Sequence, residues 1–406
     1  MIRVSHSTSC VPVMDLYRPI YLSFDALRSA FRSQPVEPLK DPGKIMVKDQ
    51  WIFVSERLRG IHIIDNRDPS SPQDIAFIQV PGNIDLAMKG DILYADSFVD
   101  LVAIDVANPA EAFVTGRLEN IYPNEPLFQE ETFWSEPIDP SRGVVVGREL
   151  VSSGGGCGDG FSDVHNSGCS GGGTHASRPA AASPADQSTG VNGSLARITI
   201  VHDHLYLLAG SSLKTVSIID PEHPAYMNAL ELGLDIETLY PYKEALFVGG
   251  QTGVQIIDIS APEQPTFTSR FQHAWQCDPV VVSGDTGYVT LRAGGRCGLG
   301  MNRLDILDLS DLSAPALLKS YSLNDPYGLA IDANTLFVAD GAFGFQVFDA
   351  QDPLNLVEIG LFQNRPARDI ILHAGRAHVI GPEGLDQYDY SVLDHIILLS
   401  HVPAVE

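Results

Sequence analysis

Short apolar runs that end in aspartate recur along the chain. They are IHIID at Asp65, LVAID at Asp105, VSIID at Asp220, VQIID at Asp258, LDILD at Asp308, FQVFD at Asp349 and LDQYD at Asp389. Their spacings are 40, 115, 38, 50, 41 and 40 residues, so a unit of about forty residues repeats seven times around one long interruption. A proline stands four residues after the aspartate at Pro69, Pro109, Pro224, Pro262 and Pro353. A glycine stands five residues before it at Gly60, Gly253, Gly344 and Gly384. Upstream, segments such as RITIVHDHLYLLAG and DIILHAGRAHVIG read as strand, tight polar turn, strand. Downstream, pieces such as LVEIGLF supply a fourth short strand.

Each unit therefore predicts four antiparallel strands and no helix. One such sheet cannot bury both of its faces alone, whereas sheets stacked around an axis cover each other. The pattern predicts an all-β fold: a seven-bladed β-propeller of four-stranded antiparallel blades over residues 37–402, with one long flexible insertion. The third strand is apolar at nearly every position, as expected when both faces are covered. Its aspartate is expected to hold nearby backbone N–H groups, and the proline to fix the next turn. The glycine is expected to open the turn at positive φ. Because these aspartates recur once per blade, the pattern assigns them to structure and not to catalysis.

Two segments lie outside the repeat. Residues 1–36 form an N-terminal arm; YRPIYLSFDALRSAFRS carries an amphipathic pattern at Leu22, Leu27 and Phe31 and predicts a short helix packed on the propeller. PIYLS offers the alternative of a closing strand, although the last blade already has four candidates. The insertion covers residues 121–193. From 151 onward it is rich in Gly, Ser, Ala and Pro, a composition expected to stay largely disordered.

The runs LVAID, VSIID and VQIID, each followed by a proline, resemble the LVIVD repeat. The resemblance covers roughly residues 37–402 outside the insertion and is strongest in stretches such as CDPVVVSGDTGYVTLRAGGRCGLGMNRLDILDLSD. It implies a bacterial or archaeal β-propeller of the cell surface or an exported one, without an assigned activity. An extracytoplasmic location is the expectation it carries.

Charge and cysteine content narrow the function classes. With a formal net charge of −25, the chain lacks the clustered Lys and Arg that phosphate binding needs, which excludes nucleic acid and anionic lipid as partners. No stretch reaches the roughly 18 apolar residues of a membrane span, and MIRVSHSTSC shows no apolar run of signal-peptide length. Cys277 precedes the strand PVVVSG and Cys297 follows GYVTLR, so a hairpin would bring them together as a disulfide candidate. Cys157 and Cys169 form a second candidate pair, leaving Cys10 odd. Two disulfides would agree with the exported habit that the resemblance implies. Cys157, His165, Cys169 and His175 lack regular zinc spacing, so no metal site is assigned.

The chain has no Gly-x-Ser-x-Gly elbow, His-Glu-x-x-His or phosphate loop. The natural concavity is the axial mouth, ringed by the residues leading into each first strand: Lys44, Asp85, Arg197, Glu237, Asp278, Tyr327 and Arg368. Turns between second and third strands add Glu56, Arg57, Asp96, Arg292, Asp340 and Glu383. From these, Asp85, Asp96, Asp278, Arg292, Asp340 and Arg368 are the ligand-binding candidates. No cofactor is expected; Ca²⁺ at clustered aspartates is the one alternative. The leading expectation is a monomeric, non-enzymatic binding or scaffold module for an unknown protein or glycan. The alternatives are a lactonase- or quinoprotein-like propeller enzyme with its site at the mouth, and a surface adhesin.

Overall fold

The computed structural model describes residues 15–125, 132–152, 193–233, 236–272, 279–293 and 301–405. The described chain divides into two compact units. The larger holds residues 30–123 and those from 193 onward, and is built of seven antiparallel sheets among its described residues. They are sheet I (42–79), II (86–118), III (198–231), IV (236–272), V (280–322), VI (329–362) and VII (369–403), each with its strands in sequence order. The fold is all-β and propeller-like, and the repeat read from the sequence maps onto these sheets.

Packing follows the alternation of the strands. The first strands touch in the order I to VII, and Asp369–His373 of sheet VII lies against Pro42–Lys48 of sheet I. Apolar clusters bridge neighbouring sheets throughout, from Met46, Phe53 and Leu93 between I and II to Ile45, Ile371 and Leu385 between I and VII. Outer turns are latched as well. The carbonyl four residues past the end of a third strand accepts a side-chain donor from the preceding sheet: Tyr94 to Pro221 and Tyr206 to Pro262 (2.9 Å each), Ser269 to Leu312, and Tyr321 to Pro353 (3.0 Å). At the last junction Gln387 donates to Asn66 Oδ1 at 2.8 Å, and Val405 N–H donates to Leu39 O at 2.7 Å.

The aspartates close turns as the pattern suggested. Asp65, Asp105, Asp258, Asp308, Asp349 and Asp389 each accept the backbone N–H two residues on. Sheet III differs. Its third strand is Ser212–Ser217, and Ser217 pairs with Ala225 as Asp65 pairs with Gln73. Asp220 and Pro221 therefore occupy the place of Asp68 and Pro69, and the repeat in this sheet is read three residues too late when it is anchored on VSIID. Re-phased on Ser217, the next interval becomes 41 residues instead of 38.

The repeated glycines serve both backbone freedom and close approach. Gly253, Gly344 and Gly384 have φ of +144, +81 and +127, as expected, whereas Gly60 does not have a positive φ. What they share is contact: a Cβ on Gly60 would sit 2.1 Å from Ile78 O of the fourth strand, and one on Gly344 would sit 1.9 Å from Phe362 O. Gly60→Ala is expected to lower unfolding free energy by about 1–3 kcal/mol, the usual range for overpacking, as read by urea denaturation. An unchanged midpoint would mean that the sheet tolerates the side chain.

The smaller unit comprises described residues within 15–29 and 124–152. Here PIYLS is a strand, but a strand of this unit: Leu16–Leu22 pairs parallel with Phe133–Trp134 and antiparallel with Val144–Ser152. The helix of the arm is only Phe24–Ser29, opened by Ser23, whose Oγ accepts from Ala26 N–H. In the larger unit, Arg32–Gln34 leaves the helical reading altogether. It adds a fifth strand to the outer edge of sheet I, beside Gln73–Gln79.

Candidate functional site

Register identifies which residues stand together at the start of the first strands. Ile45, Leu86, Ile198, Leu239, Val280, Leu329 and Ile370 hold equivalent pairings with the second strands. The residue before each is Lys44, Asp85, Arg197, Thr238, Pro279, Gly328 and Asp369. The sequence reading places three of these and falls one position early at the other four, having named Glu237, Asp278, Tyr327 and Arg368 in place of Thr238, Pro279, Gly328 and Asp369. Asp278 and the four candidate disulfide cysteines, Cys277, Cys297, Cys157 and Cys169, lie outside the described residues, as does Cys10.

A buried charge cluster forms on this layer. Asp85 is 2% exposed; its Oδ2 accepts from the N–H groups of Arg197 and Ile198 (3.0 Å for the latter), and its Oδ1 from Leu86 N–H at 2.8 Å. Lys44, 3% exposed, places Nζ 3.6 Å from Asp85 Oδ2. Burial brings Lys44 down to about 8, against the raising fields of Asp85 and Asp369. Asp96 faces the same layer, and burial pushes it up to about 7 although Ile84 and Asp85 N–H groups donate to it. Asp85 thus joins sheets I, II and III, and Asp369 brings sheet VII to the same lysine.

Two other candidates are consumed by the fold. Asp340 is fully buried; Asn324 and Asp325 N–H donate to its Oδ1, and Asn324 Nδ2 (2.7 Å) and Gln346 Nε2 (2.8 Å) to its Oδ2. Asp96 Oδ1 likewise takes Asn83 Nδ2 and two backbone donors. Glu56 repeats the device, accepting Lys40 and Asp41 N–H. A carboxylate at the end of a second strand therefore staples the loop that leads into its own sheet. Such saturation leaves Asp340 no free lone pair for a ligand. Arg292 stacks over the Tyr327 ring, 4.1 Å from its centroid, and donates to its hydroxyl at 2.9 Å. Arg368 stands near Arg57, where burial and the neighbouring cation both hold Arg57 down.

Glu56 also takes part in a sandwich that the sequence did not signal. His62, fully buried, sets Nδ1 2.7 Å from Asp74 and Nε2 3.2 Å from Glu56. Burial opposes a charged ring, yet the two carboxylates outweigh it and raise His62 to about 9. Burial would raise Glu56, but hydrogen bonds from His62 and the loop amides bring it to about 2.

The space between the first strands is crossed by the chain itself. Ser194, Leu195 and Ala196 are buried. Ser194 Oγ accepts from Leu329 N–H of sheet VI at 3.3 Å, and Ala196 O from Leu239 N–H of sheet IV at 2.6 Å, before the chain enters sheet III. Among the described residues no group of three or more His, Cys, Asp or Glu could hold a metal ion. No described helix is long and apolar enough to cross a membrane.

Comparison with solved structures gives likeness at the level of fold. The computationally designed Ika8 protein superposes with a TM-score of 0.53 at 9% identity, covering 91% of each chain. A functionally unknown protein from Desulfotomaculum acetoxidans gives 0.51 at 12% identity, covering 89% of this chain and 95% of its own. Sqt1 of Saccharomyces cerevisiae gives 0.51 at 6% identity, covering 96% and 90%. No curated protein matches the chain. The LVIVD repeat matches residues 246–273 and 277–322, which hold three strands of sheet IV and all of sheet V.

Proposed function

From a chain that carries LVIVD repeats, we propose a closed seven-bladed β-propeller that acts as a non-enzymatic binding or scaffold module outside the cytoplasm. Closure is supported by the contact of sheet VII with sheet I and by the apolar cluster they share. One observation supports the functional reading: the described carboxylates Asp85, Asp96 and Asp340 are taken up by backbone N–H groups of the fold, while the buried Lys44 Nζ and Arg197 Nε beside Asp85 keep no hydrogen-bond partner. Asp85 also faces the buried Lys44, and the segment around Ser194 is bonded to sheets VI and IV. A catalyst at the axial mouth needs convergent groups with free valences, whereas a binding module needs only an exposed surface.

The partner is a protein or glycan met on the outer surface, and the chain acts as a monomer. The test is chemical cross-linking of the full-length protein in its native cell fractions, followed by mass spectrometry, beside turnover assays with lactones and quinone-linked alcohols. Cross-links from surface positions to a partner in the envelope or secreted fraction are the expected result. Steady turnover of either substrate class would overturn the reading, and recovery in the cytosol alone would remove the location.

A further inference from the structure

The outer strands of sheets V, VI and VII differ from the rest of the ring. Leu317 and Leu318, Val357 and Leu361, and Ile397 and Leu398 are all between 41% and 61% exposed. Among the described residues, the fourth strand of each of sheets I to IV shows only one exposed large apolar side chain. Sheets V and VI are tied beside these side chains, because Tyr321 OH donates to Pro353 O and accepts from Leu356 N–H. Between VI and VII the side chains are backed by Phe362 against Tyr388, 5.6 Å between centroids.

These strands are also open edges. Val357–Phe362 ends its sheet, so one row of its N–H and C=O groups has no strand beside it. Natural edges are usually blunted by charge, proline or a bulge; VEIGLF carries one glutamate, no proline and a bulge at Ile359, which leaves Gly360–Phe362 regular. The strand and the turns around it are acidic: Glu358 on the strand and Asp311, Asp352 and Asp394 in turns are exposed, while the nearby Lys319 ammonium is tied to Leu354 O. Sheet I shows what such an edge accepts in this molecule, since Arg32–Gln34, a short extended piece headed by arginine, pairs along Gln73–Gln79.

We propose that the outer edge of sheet VI, with the apolar band on V and VII, receives an extended segment of a partner protein in which apolar side chains alternate with Lys or Arg. This rests on the binding-module reading above and names its surface. Main-chain pairing would supply affinity, and the acidic turns would select a basic segment over a neutral or acidic one. The formal net charge of −25 argues against a second copy of this acidic chain as occupant.

The probe is a nine-residue peptide of alternating Val and Lys, titrated by fluorescence anisotropy against the full chain. Controls are the Val–Glu peptide and a Val–Lys peptide interrupted by proline. Saturable binding of the first alone is expected, with slowed amide exchange across Val357–Phe362. Val357→Lys should weaken it about tenfold, and Phe113→Lys on sheet II should leave it unchanged. Equal binding of the Val–Glu peptide, indifference to Val357→Lys, or dimerisation through this face in light scattering would overturn the proposal. If no peptide binds while native cross-links map to another surface, this assignment falls and the binding module stands; turnover would instead remove the module itself.

Discussion

Asp85→Ala is expected to cost about 3–5 kcal/mol of stability, the cost of leaving one partner of a buried ion pair alone. Asp85 faces Lys44 at 3.6 Å, and both side chains are almost fully withdrawn from water. Its removal also strands the Arg197, Ile198 and Leu86 N–H groups that it accepts. The double variant Lys44→Met with Asp85→Ala separates the two effects. It should recover the electrostatic share, about half of the loss, and leave the cost of the stranded amides. Equilibrium unfolding in guanidinium reads both. A loss below about 1 kcal/mol for Asp85→Ala would mean that the layer is not held by this carboxylate.

Stability should fall with rising pH through the His62 sandwich. The folded His62 lies near 9 against an ordinary 6.5, so its contribution is complete below pH 6.5 and is lost as pH rises through 9. The shift corresponds to about 3 kcal/mol. Glu56, brought to about 2, gives the acid side: its contribution is present above its ordinary 4.5 and lost as pH falls through 2. Because the two groups share one contact, the amounts do not add. The stability difference between the native chain and His62→Gln should therefore be about 3 kcal/mol larger at pH 6 than at pH 9. Glutamine suits the test, since Gln346 donates to Asp340 across the corresponding pair of sheet VI. A difference that stays constant between the two pH values would show that His62 is neutral in the fold.

The strands were legible because their pattern is local. Alternating or continuous apolar runs, tight turns and the recurring Asp–Pro step all lie within one forty-residue unit. Sheet III shows the limit of that reasoning. VSIID looks like IHIID, but only pairing decides that Ser217 and not Asp220 ends the strand. The glycine position held the clue, since a small residue, Ser212, stands five before Ser217 and Thr215 stands five before Asp220. Loop lengths hid the lead-in layer by one residue at Thr238, Pro279, Gly328 and Asp369. The saturation of Asp340 was not legible at all, because its donors come from backbone sixteen and fifteen residues upstream. Ser194 meets Leu329 across 135 residues of sequence, and no periodicity reports such a meeting.

Sheet VII and sheet I meet without a peptide link between them, since each draws all its core strands from one end of the repeat array. Six junctions are bridged by continuous chain; this one relies on Gln387, the Val405–Leu39 bond and the apolar residues beneath. It behaves as a clasp. Under mechanical load or mild heating the contact between these two sheets should part before any sheet frays, and a short covalent tether from Val405 to Leu39 would turn that joint into an ordinary one.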